Sequence, residues 1–247
     1  MHPVNFSGAF MIAILDCRAS EALLNALKGH GLETVLIPPS PSLQTGVASH
    51  TDMLIFIGFG RLFCHTSYYE SNRSLIDKIA RIGGLKLSVS NEAWSQDYPH
   101  DVLFNACPIG NRLICNEKTV SKDILKAAEA SRTETINVNQ GYTKCSICTV
   151  SENAIITSDK SIAKACQSAG MDVLLISEGH ISLPPYEFGF IGGASGLCGD
   201  SVYFGGSLST HPDGDKIIEY CHMHEKKAIS LSSEKLQDVG SIFFIGE

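Results

Sequence analysis

The sequence repeats one order of segments about every 40 residues, a period typical of propellers and other repeat folds. Each copy contains an apolar strand, a polar turn, a second apolar strand, an amphipathic helix and a third strand. Two clear copies start with "DVLFNACPIGNRLIC" at Asp101 and "YTKCSICTVSENAIIT" at Tyr142. A third copy starts at Phe190, and a looser one starts at Asp52. The repeat therefore predicts an α/β fold made of small blades arranged in a ring.

The fifth copy is divided between the two ends of the chain. "SIFFIG" at residues 241–246 and "MIAILD" at residues 11–16 supply its first two strands, and "SEALLNALKGHG" supplies its helix. A divided blade lets a ring close without leaving exposed strand edges. We therefore expect one domain over residues 1–247, with five ββαβ blades about a pseudo-fivefold axis and a C-terminal strand that closes the ring. The helices are predicted at Ser20–Lys28, Asn72–Arg81, Ser121–Ala130, Ser161–Ala169 and Asp215–His224.

The composition is that of a folded, acidic protein. Hydrophobic residues make up 44% of the chain, charged residues 18%, and the formal net charge is −7. No run of Lys and Arg is present to neutralise phosphates, so nucleic acid is not an expected partner. The nine cysteines lack the density of a disulfide framework, and the N-terminal sequence resembles neither a signal peptide nor a membrane span. These features predict a cytoplasmic protein that does not associate with membranes.

Cys145 and Cys148 form a CxxC motif within "KCSIC". This segment is predicted to be a strand, on which residues three apart face opposite sides, so neither a metal site nor a cofactor is expected. A buried structural cysteine is one interpretation of Cys145. A reactive thiol is the alternative, because Lys144 beside it would lower a thiol pKa.

Clusters of histidine and glycine have ordinary structural interpretations. His222 and His224 lie near the predicted end of a helix, where imidazolium is favourable. "THPDGDKI" is predicted to cap the helix that follows it. The glycines of "FGFIGGASG" indicate a close backbone approach, either to a second backbone near the axis or to a ligand.

The chain from Asp101 onwards resembles the guanidine-modifying, or pentein, fold, the five-bladed β/α propeller of arginine deiminases, amidinotransferases and dimethylarginine dimethylaminohydrolases. "DVLF" at residues 101–104 is similar to the acid-bearing strand of the dimethylarginine hydrolases. "YTKCSICTVSENAIITSDKSIAKA" is similar to their central repeat, and "SSEKLQDVGSIFFIG" at residues 232–246 to their closing segment.

This resemblance implies a cysteine nucleophile, a histidine acid/base and a carboxylate around an axial channel. The matching carboxylate is Asp101. Tyr142 stands at the histidine position, and Phe243 stands at or beside the cysteine position. With two of the three reactive groups absent, we expect that amidine hydrolysis has been lost and that the chain binds a ligand or a partner. The alternative is a hydrolase acting on C–N bonds with a relocated nucleophile, for which Cys145 is the candidate.

An axial pocket is predicted between the first strands of the blades. Asp101 and Glu187 would favour a cation and Lys144 would anchor a carboxylate, so the expected ligand is a zwitterionic or guanidino molecule that resembles an amino acid. The alternative is that Lys144 only neutralises Asp101 inside the protein. The predicted ligand-binding residues are Asp101, Asn105, Tyr142, Lys144, Glu187, Gly192 and Gly193.

Overall fold

The computed structural model describes residues 11–246. The predicted domain boundaries at residues 1 and 247 lie outside the described residues, as does the start of the N-terminal sequence from which the compartment was predicted. The strands are β1 Met11–Asp16, β2 Glu33–Ile37, β3 Ile55–Gly58, β4 Arg61–His65, β5 Lys86–Ser90, β6 Cys107–Ile109, β7 Arg112–Cys115, β8 Glu134–Asn137, β9 Cys148–Ser151, β10 Ala154–Thr157, β11 Asp172–Leu175, β12 Ser195–Cys198, β13 Ser201–Phe204, β14 Lys227–Ser230 and β15 Phe243–Gly246. The helices are α1 Glu21–Gly29, α2 Thr51–Leu54, α3 Thr66–Ile82, α4 Lys122–Ala130, α5 Thr143–Ser146, α6 Lys160–Ser168 and α7 Gly214–Met223, with a 3₁₀ turn at Leu208–Thr210.

These strands form five sheets of three strands each. In every sheet the middle strand pairs antiparallel with a first strand and parallel with a third. A helix connects the middle and third strands because consecutive parallel strands need a crossover connection. The sheets are β15-β1-β2, β3-β4-β5, β6-β7-β8, β9-β10-β11 and β12-β13-β14. The predicted α/β architecture of five repeated units is therefore confirmed.

One of the five sheets is assembled from both ends of the chain. Strand β15 pairs antiparallel with β1, and the register runs from Met11 opposite Gly246 to Ile14 opposite Phe243. Strand β2 completes the sheet on the other side of β1. The predicted pairing of "SIFFIG" with "MIAILD" is therefore confirmed.

Five buried apolar clusters join each sheet to the next. Neighbouring residues of a middle strand point into different clusters, as Ile14 and Leu15 of β1 do. Each middle strand is thus buried on both faces, which explains its uninterrupted apolar sequence. The clusters pair Ile14 with Leu62, Phe63 with Leu113, Ile114 with Ile155, Ile156 with Val202, and Tyr203 with Leu15. The fifth cluster joins the last sheet to the first.

Four of the predicted helices agree with α1, α4, α6 and α7 to within one residue at each end. The second prediction, Asn72–Arg81, is too short, because α3 begins at Thr66. The backbone at Asn72 is not helical, with φ −131° and ψ 27°, and two helices meet at this kink. The first of them starts after His65, whose Nδ1 accepts the Ser67 N–H at 3.2 Å. Histidine is not among the common N-cap residues, so this start carries no clear sequence signal.

The residues directly before the first strand of several sheets were predicted to be part of that strand. This prediction was wrong. Residues 51–54 and 143–146 form α2 and α5, and "DVLF" at residues 101–104 forms turns. The residues before β12 in "FIGGASG" also form turns.

Among the described residues, no helix is long and apolar enough to cross a membrane.

Candidate functional site

The segments that precede the first strands converge on a buried polar cluster, in which Asn105 connects two of them. Its side-chain Oδ1 accepts the N–H groups of Lys144 at 2.7 Å and Cys145 at 3.2 Å. Its Nδ2 lies 3.2 Å from the carbonyl oxygen of Asp52 and 3.0 Å from the Cys145 sulfur. Asn105 therefore fixes the start of α5 to α2, and these contacts involve every polar atom of its side chain.

Gly192 and Gly193 pack against protein atoms at this cluster. A Cβ on Gly192 would collide with the carbonyl oxygens of Lys144 and Cys145, and a Cβ on Gly193 would collide with the carboxyl group of Asp238. The Gly193 N–H also donates to the Cys145 carbonyl at 2.8 Å. These glycines accordingly bring three segments of backbone close together.

A cavity of about 340 Å³, named cavity A here, lies beside this cluster. Short helices position part of its wall: Met53 lies on α2 and Cys145 on α5, and His50 and Tyr142 directly precede these two helices. The Tyr142 ring stacks on Phe190 with their centroids 6.3 Å apart. The lining residues are Val47, His50, Met53, Tyr142, Cys145, Leu183, Tyr186, Glu187, Phe188, Phe190 and Asp238. Among residues 11–246, the lining of cavity A thus contains the side chains of four Tyr and Phe residues and two acidic residues, and neither Lys nor Arg.

Asp238 is the buried acidic group of this wall. Its Oδ2 accepts the Phe190 N–H at 2.9 Å, and its Oδ1 accepts the Gly240 N–H at 3.0 Å. Burial raises the pKa of Asp238 from 3.8 to about 6, although these two hydrogen bonds favour the ionised form. With this pKa the carboxyl group is mostly ionised at neutral pH, so it presents a negative charge to a cation in the cavity.

His50 lies next to Asp238 with both ring nitrogens lacking hydrogen-bond partners among the described residues. Its Nδ1 is 3.7 Å from Asp238 Oδ1, and its Nε2 is 3.9 Å from Asp16 Oδ2. Burial lowers the pKa of His50, so the ring is neutral at neutral pH. Gly240, at φ 71°, allows this approach because a Cβ there would collide with His50. The buried imidazole thus keeps one N–H and one acceptor nitrogen free for a ligand or a water molecule.

Cys145 lines cavity A, but its surroundings do not activate it. Burial and the nearby acidic groups of Asp52 and Asp238 raise the pKa of the thiol well above 9.0. Activated cysteines have a lowered pKa, usually because of a neighbouring cation. The neighbouring Lys144 does not act in this way, since its side chain points away from cavity A.

Asp101 pairs with Tyr142 rather than with Lys144. The Tyr142 hydroxyl donates to Asp101 Oδ2 at 2.5 Å. Burial raises the pKa of Asp101, an effect that the hydrogen bond from Tyr142 opposes. Asp101 is 3% exposed and lies behind the Tyr142 ring, outside the lining of cavity A. The alternative in which Lys144 neutralises Asp101 is therefore wrong.

Lys144 reaches Asp52 through Ser241. Its Nζ donates to Ser241 Oγ at 3.1 Å, and Ser241 Oγ lies 2.6 Å from Asp52 Oδ2 and 3.0 Å from the Gly192 carbonyl oxygen. Burial raises the pKa of Asp52. The Ser241 hydroxyl donates to Asp52, and this hydrogen bond opposes the effect of burial on the Asp52 pKa.

The side chain of Lys144 lines a separate cavity of about 250 Å³, named cavity B here, together with Phe243. The two cavities share no lining residue. In the helical turn α5, Lys144 is rotated by about 100° from Cys145, so the two side chains leave the helix in different directions. The predicted pocket is therefore divided: Tyr142, Cys145 and Glu187 line cavity A, Lys144 lines cavity B, and Asn105 and Asp101 lie in the interior.

Three residues of these sites, His50, Asp238 and Ser241, are not among those predicted from the sequence. A weak signal was present, since "SHTD" and "QDVGS" place polar residues directly before apolar strands. The described residues contain no group of three or more His, Cys, Asp or Glu side chains arranged to hold a metal ion.

The fold is that of the guanidine-modifying, or pentein, enzymes, as a comparison with solved structures shows. Dimethylarginine dimethylaminohydrolase from Pseudomonas aeruginosa, solved as a mutant in complex with citrulline, superposes with a TM-score of 0.55 at 9% identity, over 91% of this chain and 92% of that chain. Agmatine deiminase from C. jejuni with bound substrate superposes with a TM-score of 0.55 at 10% identity, over 99% of this chain and 98% of that chain. An amidinotransferase from Microseira wollei superposes with a TM-score of 0.52 at 9% identity, over 92% of this chain and 89% of that chain. At these identities the similarity is one of fold.

Residues 14–243 match a protein family described as a family of unknown function, DUF6873, and the chain belongs to this family. A comparison with curated proteins finds no significant match.

Proposed function

We propose that this protein binds a small cationic or zwitterionic molecule resembling an amino acid in cavity A, and that it no longer hydrolyses amidines. One observation carries the proposal: aromatic rings line the cavity, and its charged groups, Asp238 and Glu187, are both acidic. Aromatic faces and carboxylates both attract cations such as guanidinium. The buried, unpartnered nitrogens of His50 add hydrogen-bonding capacity at the same wall.

The loss of chemistry is supported by the side chains at the positions that match the family motif. Tyr142 is held by Asp101, and burial together with this carboxyl group raises the pKa of its phenol, which therefore cannot act as a base at neutral pH. Phe243 carries no nucleophile and lines cavity B. A pentein pseudoenzyme with a retained binding cavity accounts for these features.

We also propose that the five sheets form one closed ring within a single domain over residues 1–247. The cyclic order of the five apolar clusters and the pairing of β15 with β1 support this arrangement. A cytoplasmic location remains our prediction from the sequence.

L-Arginine and L-citrulline form a matched pair of probes, because they have nearly the same shape and differ in the charge of the terminal group. Isothermal titration calorimetry at pH 7.5 is expected to show arginine binding at least tenfold more tightly than citrulline. Asp238→Asn should reduce arginine binding by about tenfold or more, since it removes a charge-assisted contact. Glu129→Gln is the control, because it removes the same charge from an exposed site on α4. Equal affinity for the two probes would overturn the proposal.

A hydrolase that uses Cys145 is the second candidate, and the position of this thiol in the wall of cavity A favours it. Incubation with arginine or methylated arginines, followed by assay of released citrulline, separates the two functions. We expect no citrulline above background. Release that Cys145→Ser abolishes and Cys17→Ser preserves would establish the hydrolase instead.

A further inference from the structure

Cavity B differs from cavity A in both its walls and its charge. Apart from Lys144, it is lined by apolar side chains, by Gly196 and by the hydroxyl-bearing residues Thr149 and Ser195. The apolar lining residues are Phe56, Ile57, Ala106, Pro108, Leu197, Ile242, Phe243 and Phe244. In the part of the chain that the structure describes, Lys144 is thus the one charged side chain of a largely apolar cavity, the arrangement expected for an anionic ligand with an apolar body.

The ammonium group of Lys144 has hydrogen-bonding capacity left over. It donates to Ser241 Oγ at 3.1 Å, and the Ile147 carbonyl oxygen lies at the limit of contact at 3.5 Å. Within residues 11–246, no carboxylate oxygen lies within 4.0 Å of Nζ, and Asp52 is reached only through Ser241. An ammonium group has three protons to donate, so at least one is free for a further partner.

Lys144 is partly buried, so its ammonium group is more stable with an anion in contact than without one. A cation removed from water is normally paired, because desolvation disfavours the isolated charge. The Phe243 ring, with its centroid 5.8 Å from Nζ, provides some compensation. The Lys144 charge also favours the ionised forms of the Asp52 and Asp238 carboxyl groups, but among the described residues neither carboxyl group contacts Nζ directly.

We infer that cavity B is a binding site for a small apolar monocarboxylate, whose carboxylate contacts Lys144 and whose hydrocarbon body packs against Phe243 and Leu197. The volume of about 250 Å³ is below the usual range of about 300–1,000 Å³ for drug-sized ligands, which limits the ligand to a small molecule. This inference is independent of the function proposed for cavity A, because the two cavities have no lining residue in common.

Phenylacetate and phenylacetamide are the probes for this site, since they have the same shape and differ in charge. Titration calorimetry with the full chain at pH 7.5 is expected to show phenylacetate binding at least tenfold more tightly, the ratio that a charge-assisted hydrogen bond supplies. Chemical-shift changes should be confined to residues around Lys144 and Phe243. Equal binding of the two probes, or shifts confined to cavity A, would overturn the inference.

Variants at Lys144 test the contact directly. Lys144→Met keeps the length of the side chain without its charge and is expected to weaken phenylacetate binding at least tenfold, whereas Lys144→Arg should keep it within about threefold. Lys164→Met is the matched control, because this exposed lysine on α6 lies outside both cavities. Unchanged affinity in Lys144→Met would refute the site.

A cavity-filling variant keeps the inference testable if Lys144→Met does not fold. Leu197 is partly exposed on β12, so Leu197→Trp can fill cavity B without removing a buried group. We expect this variant to lose phenylacetate binding while Lys144 is intact. Full binding by a folded Leu197→Trp protein would show that the probe binds elsewhere.

Discussion

The Tyr142 hydroxyl donates a hydrogen bond of 2.5 Å to the buried carboxyl group of Asp101. Tyr142→Phe removes this donor and leaves a buried carboxyl group without it. We expect the free energy of unfolding to fall by about 1–3 kcal/mol, the cost of an unsatisfied buried acceptor. Urea denaturation measures the change.

The matched control for this prediction is Tyr69→Phe. Tyr69 also donates to an aspartate, Asp77, at 3.1 Å, but at an exposed position. Its loss should change the free energy of unfolding by less than about 0.5 kcal/mol. Equal effects of the two variants would mean that the Tyr142–Asp101 contact does not stabilise the fold.

The titration of Asp238 should make the stability depend on pH. Burial raises its folded-state pKa from 3.8 to about 6, so between these values the folded protein retains a proton that the unfolded chain has lost. The stabilisation from this group is complete below about pH 4 and is lost as the pH rises through 6, a total of about 3 kcal/mol.

Unfolding of the unmodified protein and of Asp238→Asn, measured from pH 4 to pH 7, tests this contribution. The stability of the unmodified protein relative to the variant should decline over that interval. Glu129→Gln, an exposed control, should follow the unmodified protein. If the difference in free energy of unfolding between the Asp238→Asn variant and the unmodified protein stays constant with pH, Asp238 has the same pKa in the folded and unfolded states.

The pairing of β15 with β1 should contribute strongly to stability. Ile245 of β15 is 6% exposed and packs in the cluster that contains Ile14 and Leu62. Ile245→Ala is expected to lower the free energy of unfolding by about 2–5 kcal/mol. Ile218→Ala, which truncates a side chain that is 46% exposed on α7, should cost less than about 1 kcal/mol.

Deletion of Gly240–Glu247 tests ring closure more severely. It removes β15 and exposes an edge of β1 together with part of the apolar core. We expect an insoluble or molten protein without a cooperative transition. A truncated chain that unfolds as cooperatively as the full chain would contradict the closed ring.

The number and order of the blades could be predicted from the sequence because each blade has a strongly patterned amphipathic helix between apolar strands. Helix α6, for example, buries Ile162, Ala163 and Cys166 and is capped by Asp159, which accepts the N–H groups of Ser161 and Ile162. Such helices show their period over several turns.

The site was predicted only in part because its geometry depends on short segments and long-range contacts. Helix α5 has four residues, too few to show a helical period, so Lys144 and Tyr142 were placed in one pocket. The contact between Ser241 and Asp52 joins residues 189 positions apart. Nothing in the local sequence indicates that they meet.

The accessibility of the nine cysteines gives the last prediction. Cys17 is exposed, and the other eight cysteines, Cys145 among them, are buried. Burial and the neighbouring acidic groups also raise the pKa of Cys145, which suppresses its reactive thiolate. With a thiol-reactive chromogenic disulfide at pH 7.5, the folded protein should therefore show one fast-reacting thiol, and the denatured protein all nine. Cys17→Ser should abolish the fast phase, and Cys145→Ser should leave it unchanged. A fast phase that instead disappears in Cys145→Ser would show an activated thiol in cavity A and would favour the hydrolase over the binding protein.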